Sequence, residues 1–179
     1  DRRVIAFIED MGTSGGYMIA CAADEILADP ASLVGSIGVV SQGFGFVGLM
    51  ERLGIERRVH GSAENKALLD PFQPERPGDV EHLRSIQSEV HAHFVDLVRE
   101  RRGARLSEDD ELFTGLFWSG GRAEALGLVD GTGELREVLR ARFGPEVRLR
   151  MIEPARPSFL RRLLFGADPP AVPGHGGWP

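Results

Sequence analysis

The opening run Val4–Glu9, "VIAFIE", is short and apolar and ends at a glycine-bearing turn, which predicts a strand. Tyr17–Ala23 follows, compact and helix-prone, so strand, turn and helix come in quick succession. "LVGSIGVVS", Leu33–Ser41, is β-branched and punctuated by glycine; "FGFVGLMERLG" then predicts a helix and "IERRVHG" another strand. From Asp79 to Arg102, Val80, Leu83, Ile86, Val90, Phe94, Leu97 and Val98 recur at threes and fours. That spacing gives one long amphipathic helix, preceded by Pro74 and Pro77 and ended by Gly103. Arg122–Leu126 and Glu134–Phe143 predict two more helices, and "VRLRMI" a last strand. Such alternation favours an α/β layer architecture, with residues 1–153 as a single domain. Beyond Pro154 the chain changes: "PSFLRRLLF" is a short basic amphipathic piece, and "GADPPAVPGHGGWP" has the Pro/Gly-rich composition of disorder, so 154–179 reads as a tail.

Composition narrows the function classes. The chain has 179 residues, 42% hydrophobic and 27% charged, as a soluble globular protein has, and no run reaches the ~18 apolar residues that suggest a membrane span. A net charge of −6 argues against a nucleic-acid surface, and the pairs Arg57-Arg58 and Arg101-Arg102 read as solvated faces without function. The single cysteine, Cys21, excludes an internal disulfide and lies in an apolar run, where a thiol acts as a small hydrophobe. The first residue is not methionine and a strand follows almost at once. This predicts a fragment whose upstream part includes room for a targeting or anchoring segment.

One basic position stands apart. Lysine and arginine together number 21, and Lys66 is the only lysine. A chain so biased toward arginine keeps a lysine where arginine fails, and the two differ most in that a desolvated lysine can lose its proton near neutral pH. Lys66 is therefore a candidate base; an ordinary surface residue fits the composition equally well.

"GTSGG", Gly12–Gly16, matches Gly-x-Ser-x-Gly between a predicted strand and a predicted helix. A sharp turn there exposes the Ser14 hydroxyl, and amides at the helix start can face a developing oxyanion. The same residues also describe a helix N-cap serine with turn glycines, so the pentapeptide alone leaves both readings open. A nucleophilic serine needs a base. His82, His91 and His93 lie in the long helix, where His91 and His93 point about 200° apart and flank the apolar stripe. His60 closes a predicted strand and His175 lies in the tail, so no histidine is a convincing base. Lys66 is then the natural partner, with Ala67, Leu68, Leu69 and Phe72 supplying apolar surroundings and Glu64 and Asp70 opposing deprotonation if they approach the amine.

These blocks together, "TSGGYMIACAADEILADPASLVGSIGVV" followed by "ENKALLDPF" and "FWSGGRAEALGLVDGTG", resemble the S49 peptidases, the signal peptide peptidase A or protease IV family with its SohB-like branch. The resemblance runs from about Val4 to about Phe143. It implies a ClpP- or crotonase-like α/β superhelix, Ser14 as nucleophile, Lys66 as general base, the Ser36 hydroxyl beside the lysine amine, and a Gly15 N–H in the oxyanion hole. It also implies peptide substrates, among them cleaved signal peptides or other short apolar peptides, assembly into tetramers or rings, and a bacterial cell-envelope location with membrane association through a segment outside this chain. No metal or cofactor is implied.

Two departures matter. Family members carry further strand and helix units upstream of the serine strand, with a Ser-Pro-Gly-Gly-like turn, and Met18 stands where many relatives have a second aromatic. The first predicts a longer native protein or a piece supplied by another chain; the second is a packing change. Two alternatives accompany the peptidase: an inactive S49-like domain that binds peptides or scaffolds a complex, and an α/β-hydrolase esterase.

Overall fold

A computed structural model describes residues 2–150 and 152. The predicted strand at the start is β1, Ile5–Ile8, and after a bend at Glu9-Asp10 the chain continues as β2, Met11–Thr13. The helix α1, Gly15–Ala20, leads back to β3, Glu25–Ala28, which bends in turn and continues as β4, Leu33–Gly35. β1 pairs with β3 and β2 with β4, both in parallel. The Asp29 amide donates to Ile8 and the Leu33 amide to Asp10, at 2.8 and 2.9 Å, carrying the pairing across the bend. Two three-stranded sheets result. β6, Gly131–Thr132, completes the order β1-β3-β6, and β5, Phe117–Ser119, runs antiparallel to β4 in the order β2-β4-β5. All four residues of β3 are buried, as expected of a central strand of a parallel sheet covered on both faces.

The α/β class read from the sequence is the one observed, and the core gathers Tyr17, Cys21, Ile26, Val34, Ile37, Phe94, Val98, Leu112 and Leu126 from strands and helices alike. Cys21 is the buried small hydrophobe expected. α4 spans Gly120–Ala125 and α5 spans Leu135–Phe143. The bidentate Arg142–Glu25 contact, 2.6 and 2.7 Å, fastens α5 to the start of β3.

Several expectations need correction. Of "LVGSIGVVS" only Leu33–Gly35 is strand, and "IERRVHG" forms none: it belongs to an arm, residues 42–76, whose one α-helix, α2 at Val47–Leu53, buries no side chain. Phe46 and Phe72 stack within the arm, at 5.5 Å between centroids, while Phe44, Leu49, Leu53, Ile55 and Val59 face outward. Residues 147–150 likewise form no strand, and the predicted tail lies outside the described residues. The long helix α3, Pro77–Arg102, is present, but its stripe is buried only toward the C-terminal end, at Phe94 and Val98; Ile86 and Val90 are exposed. Periodicity reports which positions share a helix face, and only tertiary packing decides how much of that face is covered.

Of the Arg101-Arg102 pair only Arg101 is exposed, and both side chains anchor backbone carbonyls. Arg102 is 3% exposed; it donates to the Gly127 carbonyl at 2.8 Å and grips Asp130 bidentately at 2.8 and 2.9 Å. Arg101 turns the other way and donates to the Cys21 and Ala23 carbonyls at 2.6 and 2.8 Å. Successive helix positions differ by about 100°, so two adjacent arginines at the end of α3 serve two separate anchorages. Arg57 and Arg58 do pair at the surface, with Asp70 and Glu56.

Candidate active site

Ser14 sits between the end of β2 and the first residue of α1 with φ 51° and ψ −121°. Among the described residues only Ser14, Ser36 and Leu69 combine a side chain with a positive φ, at 51°, 53° and 55°. Such conformations cost about 1–3 kcal/mol and persist where the surroundings impose them. Two of the three are the serines singled out from the sequence. The Ser14 amide donates to the Gly35 carbonyl at 2.8 Å, and the Ser36 amide to the Leu116 carbonyl at 2.7 Å, so each turn is pinned by the strand pairing beside it. The sharp reversal leaves Ser14 exposed, and its side chain makes no capping bond to α1. The N-cap role left open by the sequence is therefore not the one the hydroxyl plays.

Ser14, Gly15 and Ser36 line one cleft of about 540 Å³. Its remaining walls are mainly apolar: Met18 from α1, Val39 and Val40 after Ser36, Val90 and Phe94 from α3, and Gly115. Gly15 and Gly16 open α1, where first-turn amides have no partner within the helix, and a side chain at either would meet nothing within 4 Å. The Gly15 amide is thus placed at an open helix start directly after the serine. The wall residues escaped sequence reasoning because they come from four separate stretches. Val90 and Phe94 were legible only as members of the α3 apolar stripe, not as walls of a cleft.

Lys66 lies elsewhere. It belongs to a short 3-10 turn, Glu64–Ala67, on the exposed arm and lines a different cleft with Val59, Gly61, Ala63 and Arg76. Ala67, Leu68 and Leu69 are half-buried, whereas the lysine is exposed. Asp70 pairs with Arg57 at 3.1 Å. The single chain brings Ser14, Gly15 and Ser36 together and leaves Lys66 apart from them.

No histidine among the described residues lines the serine cleft. His60, His82 and His93 are exposed, and His91 is half-buried beside the core stripe. Among the described residues an esterase triad has no histidine base at this serine. Beneath the serine turn, the Tyr17 phenol is fully buried and donates to the Leu128 carbonyl at 2.6 Å. Burial pushes its pKa far up, so it stays a donor throughout the working pH range. Burial also pushes the Cys21 thiol up, which keeps it inert.

The chain is 52% identical over 162 residues to a protein of Brucella abortus named Na(+)/H(+) antiporter NhaA, covering 90% of this chain and 22% of that protein. It is 29% identical to the chloroplastic serine protease SPPA of Arabidopsis thaliana, covering 87% of this chain and 24% of that one. This chain thus spans about a quarter or less of these relatives. Among solved structures, a membrane-bound stomatin-specific protease with a bound substrate peptide aligns over 90% of this chain and 68% of its own, at 13% identity and a TM-score of 0.43. The model of peptidase family S49 matches residues 1–143, from before β1 to the end of α5, and so takes in the strained serine turn, the cleft and the arm alike. The chain belongs to peptidase family S49.

Proposed function

We propose that the protein of which this chain is part is a serine endopeptidase in which Ser14 is the nucleophile and Lys66 the general base. The observation that carries the reading is the strained, exposed Ser14 at the head of α1, opening onto a cleft that it shares with Ser36. In this reading neutral Lys66 Nζ takes the Ser14 Oγ proton as Oγ attacks the peptide carbonyl, and the Gly15 amide donates to the oxyanion. The tetrahedral intermediate collapses, the leaving amine takes the proton held by Nζ, and the neutral Lys66 amine then deprotonates a water that hydrolyses the ester, the proton passing to Ser14 Oγ as the acid leaves. Ser36 hydrogen-bonds the lysine amine and orients it.

The apolar walls, Met18, Val39, Val40, Val90 and Phe94, suit short apolar segments, cleaved signal peptides among them. General-base chemistry needs the amine stripped of water, so it needs Lys66 enclosed beside Ser14. Assembly is the means we assign. The outward apolar side chains Phe44, Leu49, Leu53, Ile55 and Val59 give the arm a surface that a homo-oligomeric partner would cover. Among the described residues no helix is long and apolar enough to cross a membrane; we assign the whole protein to the bacterial cell envelope.

One observation favours a second reading, a peptide-binding domain without activity: Lys66 does not line the serine cleft. Peptide cleavage by the full-length protein separates the two, with wild type beside Ser14→Ala and Lys66→Arg, each confirmed to fold and assemble alike. Loss of turnover in both variants is expected. Normal turnover in Lys66→Arg, which keeps the charge and removes the base, removes the dyad.

A further inference from the structure

We propose that Arg101 is a positioning residue for Ser14, acting through the far end of α1. The proposal rests on the reading of Ser14 as nucleophile. α1 has six residues, so only about 9 Å at 1.5 Å per residue separates the serine turn from the helix C-terminus. A helix this short is not stable by itself: its buried face, Tyr17 and Ala20, seats it on the core, and what grips its two ends fixes its tilt.

At the N-terminal end the grip is the hydrogen bond from the Ser14 amide to Gly35. At the C-terminal end it is Arg101. Its Nε donates to the Cys21 carbonyl at 2.6 Å and its Nη2 to the Ala23 carbonyl at 2.8 Å. Cys21 is the C-cap of α1, and carbonyls at a helix end lack partners within the helix. The guanidinium supplies two donors in one rigid fork and places a positive charge at the negative pole of the helix.

Arg101 is itself held in a stiff frame. Arg105 Nη2 donates to the Arg101 carbonyl at 2.6 Å, and the neighbouring Arg102 is locked between Gly127 and Asp130. The fork therefore ties the serine helix to the last turn of α3, which Arg102 anchors to Gly127 and Asp130. Ser14 keeps a backbone conformation that it would leave if released. With its C-terminal end untied, α1 can tilt or fray and let the serine relax, carrying Oγ away from its attack position. Cleft walls that come from other elements stay where they are, so the loss falls on the chemical step more than on binding.

The test uses the full-length protein as wild type, Arg101→Gln, Arg101→Lys and Ser14→Ala. Three quantities are read: the second-order rate of Ser14 labelling by a fluorophosphonate, kcat and KM on an apolar peptide, and the thermal midpoint. Misplacing a reacting group by about 1 Å costs on the order of 100-fold, so Arg101→Gln should lose roughly 10- to 100-fold in labelling rate and kcat, with KM within about twofold. Arg101→Lys, which restores the charge and one of the two donors, should recover part of the loss and fold if the glutamine variant does not. A lowered thermal midpoint with labelling per folded molecule at the wild-type rate overturns the proposal and leaves Ser14 as nucleophile. Equal labelling of wild type and Ser14→Ala overturns both.

Discussion

Asp130→Asn perturbs the frame beneath the serine helix at its most heavily used acceptor. Asp130 receives both terminal nitrogens of Arg102 at 2.8 and 2.9 Å, the Ile26 amide at 2.8 Å and Arg105 at 3.1 Å. The Arg102 side chain is 3% exposed, so a neutral amide at position 130 leaves a buried cation without its counter-charge. Breaking a buried pair from one side costs about 3–5 kcal/mol. At about 2–4 °C per kcal/mol for a chain of this size, the thermal midpoint at pH 7 should fall by roughly 6–20 °C. Arg105 is half exposed and its pair is a surface one, so Arg105→Gln should cost only about 0–1 kcal/mol.

The pH dependence gives a second readout. Burial pushes the Asp130 carboxyl up, but the hydrogen bonds from Arg102 and the Ile26 amide, with the charges of Arg102 and Arg105, outweigh it and leave the group below the usual carboxylate range. A carboxylate whose folded-state pKa lies below the unfolded value of about 3.9 stabilises fully above that pH and loses its contribution as pH falls through the folded value. Wild type should therefore weaken below about pH 4, and Asp130→Asn should weaken less steeply. Circular-dichroism melts at pH 7, 5 and 3.5 measure both effects. A loss under about 1 kcal/mol at pH 7, where a buried pair predicts more, or an unchanged acid slope would refute the reasoning.

Other outcomes follow from single contacts. Gly35→Ala puts a side chain at φ 109°, with its Cβ 2.8 Å from the Trp118 ring; denaturant titration should show a loss of at least about 1–3 kcal/mol. Because the Gly35 carbonyl holds the Ser14 amide, labelling of Ser14 should slow in the same variant. Tyr17→Phe removes the donor to the buried Leu128 carbonyl and should cost about 1–3 kcal/mol by the same titration. The hydrogen bonds from Arg142 hold the Glu25 carboxyl below its usual range against the effect of burial, helped by the charges of Arg142 and Arg3. Hydrogen exchange should accordingly show α5 amides losing protection as pH falls below about 4, and in Glu25→Gln already at pH 7.

The sequence by itself determined the α/β class, the strand–turn–helix around Ser14, the long helix and the choice of Ser14, Ser36, Gly15 and Lys66 as candidates. The elements and the Ser14 turn rest on local periodicity and turn chemistry, which act over a few residues and are written in consecutive positions; Lys66 rests on composition, and Ser36 and Gly15 on the family resemblance. The family was legible for the same reason, since its blocks are contiguous. What only the tertiary structure decided is where distant segments meet. "IERRVHG" has the composition of a strand, yet it finds no neighbouring strand to pair with and lies in an exposed arm. Arg101 and Arg102 look like one charged patch, but one caps the serine helix, whose carbonyls lie some 80 residues back, and the other is buried with Asp130, 28 residues on. Lys66 follows the same rule. Its uniqueness is a property of the chain, but its solvation and distance from Ser14 are set by packing, because desolvation depends on what surrounds a group in space and not on its neighbours in sequence.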